Sequence, residues 1–232
     1  MSRFKPALIA LALLVPPSAT AQDGAPQVVP VERAPFHAAM FSNEYGRLLN
    51  VHIPAGRTAS YHKHSTDVVY TFVQGAKMKN QVLGEQPTER TIPTGAVNFV
   101  GYTKNPGIHQ VSNVDTQAFS VIGFEITYPE PGRFSPSSRA EVPAYKQVLD
   151  HERVRGWRVV LEPGESIPPV TQGAPGFRVV VSGGELVESE KALPDRAMIL
   201  RLGDFSWQGL GATRSVRNAG ANRIEFVEYE LK

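Results

Sequence analysis

The chain contains no cysteine. Disulfides, thiol nucleophiles and thiolate metal ligands are therefore excluded, and any metal must be held by nitrogen and oxygen. Long apolar runs are also missing. The one candidate, Ala7 to Val15, is too short to span a bilayer. Charge of one sign is absent as well, with 24 basic against 22 acidic side chains and no Lys/Arg cluster, so there is no footprint for nucleic acid. Long helical periodicity is lacking; the best short stretch, residues 137 to 149, is weak.

The first residues read as an address. Arg3 and Lys5 precede the apolar run, Pro16 and Pro17 break it, and Ala19-Thr20-Ala21 offers small residues where a signal peptidase cuts. The expectation is a signal peptide over 1–21, with a membrane anchor as the alternative, and a periplasmic or secreted protein free of the membrane after cleavage. Removing 1–21 takes away Arg3 and Lys5 and no acid, which leaves 22 charges of each sign. The remaining chain is long enough for one or two cores without disulfides.

What is present in quantity is turn chemistry. The 19 prolines and 20 glycines punctuate short β-branched and aromatic runs: Val68 to Val73, Phe119 to Ile126, Phe177 to Val181, Arg223 to Leu231. The fold class expected is all-β. The chain also repeats itself. GRLLNVHIPAG ending at Gly56 matches VRGWRVVLEPG ending at Gly164, an offset of 108. At the same offset VVYTFVQG, ending at Gly75, matches the GFRVVVSGG segment around Gly183, and Gly95 falls on Gly203. HQVSN ending at Asn113 then matches RSVRN ending at Asn218, with three residues lost. A fixed offset held this long marks a duplication. The expected units are 22–128 and 147–232, joined by a Pro- and Ser-rich segment, 129–146, that either swings free or packs on its neighbours.

Chemistry gathers in the first unit. In Gly56-Arg-Thr-Ala-Ser-Tyr-His62-Lys63-His64, strand alternation aims His62 and His64 to one face and Tyr61 and Lys63 to the other. Taken alone, H-x-H fits a surface strand as well as a metal site. The wider spacing G-x5-H-x-H, followed by a β run closing at Gly75, resembles the first motif of the cupin superfamily. Pro106-Gly107-Ile108-His109-Gln110-Val111-Ser112-Asn113 resembles its second motif, with the proline and glycine one residue nearer the histidine than usual.

The resemblance implies two tandem cupin (jelly-roll) β-barrels, a bicupin, in which His109 joins His62 and His64 around one divalent metal ion. Where the family motif carries a glutamate ligand this chain has Val68, so the fourth ligand is missing. Asp67 lies beside that position and is either a turn residue or, if the strand phase resets, a ligand. Alternation puts Val68, Tyr70 and Phe72 inside, with Met78 and Asn80 sharing that face and Lys77 and Lys79 outside. Tyr70 is the candidate catalytic hydroxyl. His37, in the N-terminal arm, and His52, in the strand Leu48 to Ile53, are not expected to be ligands. In the second unit Val170, Gln172 and Arg214 replace the three histidines, so that unit should be metal-free. Arg214 is either a carboxylate-binding group in that barrel's mouth or an exposed charge in a shortened loop, the second being expected.

Three imidazoles and no carboxylate leave a divalent ion its full charge and open positions. Iron is expected if the chemistry is redox; zinc, nickel, copper and manganese also suit the donors. Three readings follow for a small-molecule substrate or ligand: an iron dioxygenase, a metal-dependent isomerase or lyase acting on sugars or uronates, and a non-enzymatic binding protein. The second needs a general base that the motifs do not supply.

Overall fold

A computed structural model describes residues 25–232; the signal peptide expected over 1–21 lies outside the described residues. The first half contains β1 (Val29–Pro30), β2 (His37–Ser42), β3 (Gly46–Ile53), β4 (His62–His64), β5 (Val68–Gln74), β6 (Lys77–Val82), β7 (Thr88–Thr91), β8 (Val97–Val100), β9 (Gly107–Asn113) and β10 (Phe119–Ile126). The second contains β11 (Lys146–Asp150), β12 (Val154–Leu161), β13 (Ser166–Thr171), β14 (Gly176–Ser182), β15 (Gly184–Glu190), β16 (Arg196–Leu200), β17 (Phe205–Gln208), β18 (Thr213–Asn218) and β19 (Ile224–Leu231). Among the described residues no helix is long and apolar enough to cross a membrane.

Each half is two facing sheets, the jelly-roll arrangement. In the first half the order β1-β4-β9-β6-β7 faces β2-β3-β10-β5-β8; in the second, β13-β18-β15-β16 faces β11-β12-β19-β14-β17. The turns demand glycine where the duplication placed it. Gly95 and Gly203 both adopt positive φ, 79° and 82°, a region that costs any residue with a Cβ.

The halves meet through one sheet from each. Leu48, Val69, Val73, Ile122 and Phe124 pack against Phe177, Val179, Val227, Tyr229 and Leu231, and the Phe124 and Phe177 ring centroids are 4.5 Å apart. Buried in this contact, the Thr71 and Tyr229 hydroxyls lie 2.6 Å apart and share a hydrogen bond. The middle strands β10 and β19 are consequently buried on both faces along their whole length. One face serves the core within the half and the other serves the contact between halves. That is why every position of both strands is buried, Glu225, Glu228 and Glu230 of β19 included, while β3 and β12 still alternate at intervals.

The segment after β10 is not a free tether. Its weak helical pattern yields one 3-10 turn, Ser138–Glu141, and then strand β11. Ser137 caps the turn by accepting from the Arg139 backbone N–H at 3.4 Å, and the Arg139 side chain runs into the second half, 4% exposed.

Candidate metal centre

Strand β4 is only three residues long, yet it is pinned on both sides. It pairs in parallel with β1 and antiparallel with β9, so His62 stands directly opposite His109. Alternation puts His62 and His64 inward, 1% and 3% exposed, with Lys63 outside. The three rings pack edge to face, with centroids 4.6 to 5.0 Å apart, and one ligand nitrogen from each lies within 4.8 Å of the others.

Their outer nitrogens are tied down. His62 Nδ1–H donates to the Ser60 carbonyl at 2.8 Å, and His109 Nδ1–H donates to Asn80 Oδ1 at 2.7 Å. Both bonds select the tautomer that leaves Nε2 with a free lone pair. His64 Nε2 then lies 3.1 Å from His109 Nε2, while His64 Nδ1 is buried with no partner. Lone pairs that close repel unless a proton or a cation sits among them, and a buried orphan nitrogen costs about 1–3 kcal/mol. A divalent ion bound at the Nε2 atoms removes that repulsion, so the donor set fits a metal, while His64 Nδ1 stays without a protein partner. Protons compete poorly here. Burial, reinforced by neighbouring imidazoles, pushes the pKa of His62 down to about 3 and of His64 to about 2; burial, with His37 nearby, takes His109 to about 4. At neutral pH all three are neutral and available to ligate.

A cavity of about 170 Å³ opens on the histidines. Its wall is largely apolar, from Leu49, Val51, Phe72, Met78, Val111 and Phe119, and its polar lining is His37, Tyr70, Asn80, Arg90, Asn98 and Tyr102. Among the described residues no aspartate or glutamate lines it. Tyr70, Phe72, Met78 and Asn80 thus occupy the inward face as alternation requires, whereas Lys77 reaches out to Glu89 at 2.8 Å. Burial and the neighbouring Tyr102 hydroxyl hold the Tyr70 phenol well above its usual pKa, so Tyr70 stays protonated. Gly123, opposite Tyr70, makes room for that ring: a Cβ there would come within 3.1 Å of it.

Asp67 is not part of the cluster. Its carboxylate accepts from the Thr103 N–H at 2.8 Å, while its own N–H donates to Thr103 Oγ1 at 3.1 Å. The turn reading holds, with one addition: this clasp fixes the loop that lays Tyr102 flat against His64, centroids 4.6 Å apart. His52 is exposed and bonds Ser120 at 2.8 Å, on the far side of the sheet. His37 stays outside the ligand cluster, as expected, but its arm folds onto the site. It lines the cavity, its ring 4.7 Å from that of His62, because Phe36 adopts φ 69° and turns the chain inward there. Bulky residues at positive φ have no sequence signature, so nothing in the pattern announced it.

The equivalent place in the second half is filled. Val170 stands opposite Arg214 as His62 stands opposite His109, which verifies the equivalence. Val170 joins the apolar core, and Gln172 accepts from Arg139 at 2.6 Å. Arg178, at the position of Tyr70, pairs with Glu228 at 2.8 Å and Glu188 at 2.9 Å. Arg139 binds Glu228 and Glu230. The space left is about 10 Å³. The expectation of a loop-exposed Arg214 is corrected: it lies on β18, 20% exposed, bound to Glu190 at 2.8 Å and Gln208 at 2.6 Å. The strand continues through this position because β15 pairs along it, with Glu190 opposite Arg214.

No family model matches the chain, and no curated protein sequence matches it. Solved structures do. AerE from Microcystis aeruginosa superposes with a TM-score of 0.61 at 8% identity, over 86% of this chain and 98% of that one. Oxalate decarboxylase from Bacillus subtilis gives 0.57 at 11%, over 80% of this chain and 68% of that one, and has Mn(II) centres. A cupin 2 conserved barrel domain protein from Leptotrichia buccalis gives 0.52 at 11%, over 84% and 88%. At such identities the likeness is one of fold: cupin units, two in tandem.

Proposed function

We propose that this chain, a bicupin by fold, is an exported dioxygenase that holds one iron(II) ion on His62, His64 and His109 and acts on a small organic molecule. The observation that carries the reading is the donor set in its setting: three neutral imidazoles with no carboxylate, facing an apolar cavity. When bound, the ion supplies the one-electron chemistry that reaction with oxygen requires. The protein's own contributions are separate. Ser60 and Asn80 orient two of the ligand rings, and the apolar wall keeps water from the substrate. Tyr70, still protonated, can donate a hydrogen bond or a proton at its hydroxyl oxygen. Export rests on the pattern of residues 1–21, and a mature N-terminus at or near Gln22, read by mass spectrometry of the native protein, is the expected result.

A second reading, a non-redox lyase or isomerase, gains from His37. It places in the cavity an imidazole outside the ligand cluster, the base that the motifs lacked. One experiment separates the two. Protein loaded with iron(II) or with zinc is offered thiol acids, diketones, hydroxylated aromatics and sugar acids while oxygen and products are followed. Oxygen uptake by the iron form alone supports the first reading. Turnover of a sugar acid by the zinc form without oxygen uptake replaces it with the second.

A further inference from the structure

Beside the metal ligands, the cavity carries one strong cation. Strand β7 pairs with β6 so that Arg90 stands opposite Met78 and Thr88 opposite Asn80. Residues opposed across an antiparallel pair project to the same face. Met78 and Asn80 line the cavity, so Arg90 shares their face, while Glu89 points away and is taken by Lys77. Arg90 is also solvent-exposed, which puts it at the mouth of the cavity that Tyr102 and Asn98 also line.

The second half shows how this fold treats inward arginines. Arg139, Arg178 and Arg214 each bind a glutamate. Among the described residues Arg90 has no carboxylate partner, and no acidic side chain lines its cavity. Its counterpart, Met198, stands opposite Leu186 in the same register and packs on the core of the filled half. Where the site is closed the position is apolar; where the site is open it is an unpaired guanidinium. A planar fork of donors beside an apolar cavity of this size matches a carboxylate.

From this geometry we propose that Arg90 is the specificity residue of the site, and that it anchors a carboxylate on the substrate at the end remote from the histidines. The inference deepens the reading of a metal-dependent enzyme and rests on it for the other end of the substrate. The substrate class is then a small carboxylic acid with an apolar body and metal-binding oxygens or sulfur at its far end.

The test uses the zinc-loaded and the metal-free chain, neither of which performs redox chemistry. The probes are 3,4-dihydroxybenzoate and its neutral isostere 3,4-dihydroxybenzamide, titrated by calorimetry. The wild-type protein is expected to bind the acid about tenfold more tightly than the amide, the scale of one partly exposed charge-assisted pair. Arg90→Met, which installs the residue of the second half, should reduce that ratio below about twofold and leave zinc stoichiometry and melting temperature unchanged. Arg90→Lys should keep part of it. An acid preference that survives in Arg90→Met, or is absent from the wild type in both forms, overturns the proposal. Loss of zinc binding in the wild type would sink the metal reading instead, and the metal-free titration would still judge Arg90, since the acid preference should persist there at lower affinity.

Discussion

One fold appears twice in this chain, and its two interiors have been built in opposite ways. The first keeps three converging imidazoles, two buried and one half-buried, and a cavity of about 170 Å³; the second fills the same place with paired charges and leaves about 10 Å³. Tyr70 against Gly123 becomes Arg178 against Glu228, and an arginine from the connecting segment is drawn in as well. The difference teaches that the β scaffold alone does not dictate a site. Three converging imidazoles mark the open half, and arginine–glutamate pairs fill the other.

The largest effect should come from unbalancing the paired half. Burial alone would raise the Glu228 pKa, but the guanidiniums of Arg139 and Arg178 hold it down to about 2. Glu228→Ala leaves two buried cations short of a partner, and a loss of about 3–5 kcal/mol in urea unfolding is expected. A loss under about 1 kcal/mol would mean the network is not what holds this half. Next, Phe124→Ala opens a cavity in the contact between halves and should cost about 3–5 kcal/mol. It should also uncouple the halves, so that two unfolding transitions replace one.

Acid should separate the two halves in the metal-free protein. The histidines have folded pKa values depressed below 6.5, so they add stability above pH 6.5 that fades as pH falls toward about 4 and below. Glu228 is also depressed, from 4.5, so its contribution is complete above that pH and is lost only on the way to about 2. The first half should therefore loosen at milder acidity. Trp157 lies in the core of the second half, whereas Trp207 stacks on Phe41 and Tyr45 of the first. The NMR signals of His62, His64 and His109 should change before that of the Trp157 indole does as pH is lowered; the reverse order would break the comparison. A smaller effect should follow Asn80→Ala, which frees His109 Nδ1 and should weaken metal affinity about 10–100-fold. Gln172→Ala, at the position of His64, should leave affinity unchanged.

Much of this contrast could be read from the sequence, for physical reasons. The period of two made His62 and His64 neighbours on one face, and the duplication then showed Val170, Gln172 and Arg214 in place of ligands. Tyr70, Phe72, Met78 and Asn80 followed from the same alternation. The residues missed depend on what alternation does not encode. His37 enters the cavity through a strained turn at Phe36, and Tyr102 reaches His64 from a loop clasped by Asp67. Arg90 belongs to a short edge strand whose partner register is set by the fold. Arg139 lay in a Pro- and Ser-rich segment with a weak helical pattern, and its role depends on Glu228 and Glu230, 89 and 91 residues away.

The central claim, one working site and one filled one, meets its most direct test in metal counting. Apo protein equilibrated with excess zinc or iron(II), stripped of loosely bound ion and analysed for metal per chain, should hold one equivalent. His62→Ala with His64→Ala should hold none and keep the wild-type fold by circular dichroism. Two tightly held ions per chain, or one that survives the double substitution, would contradict the account.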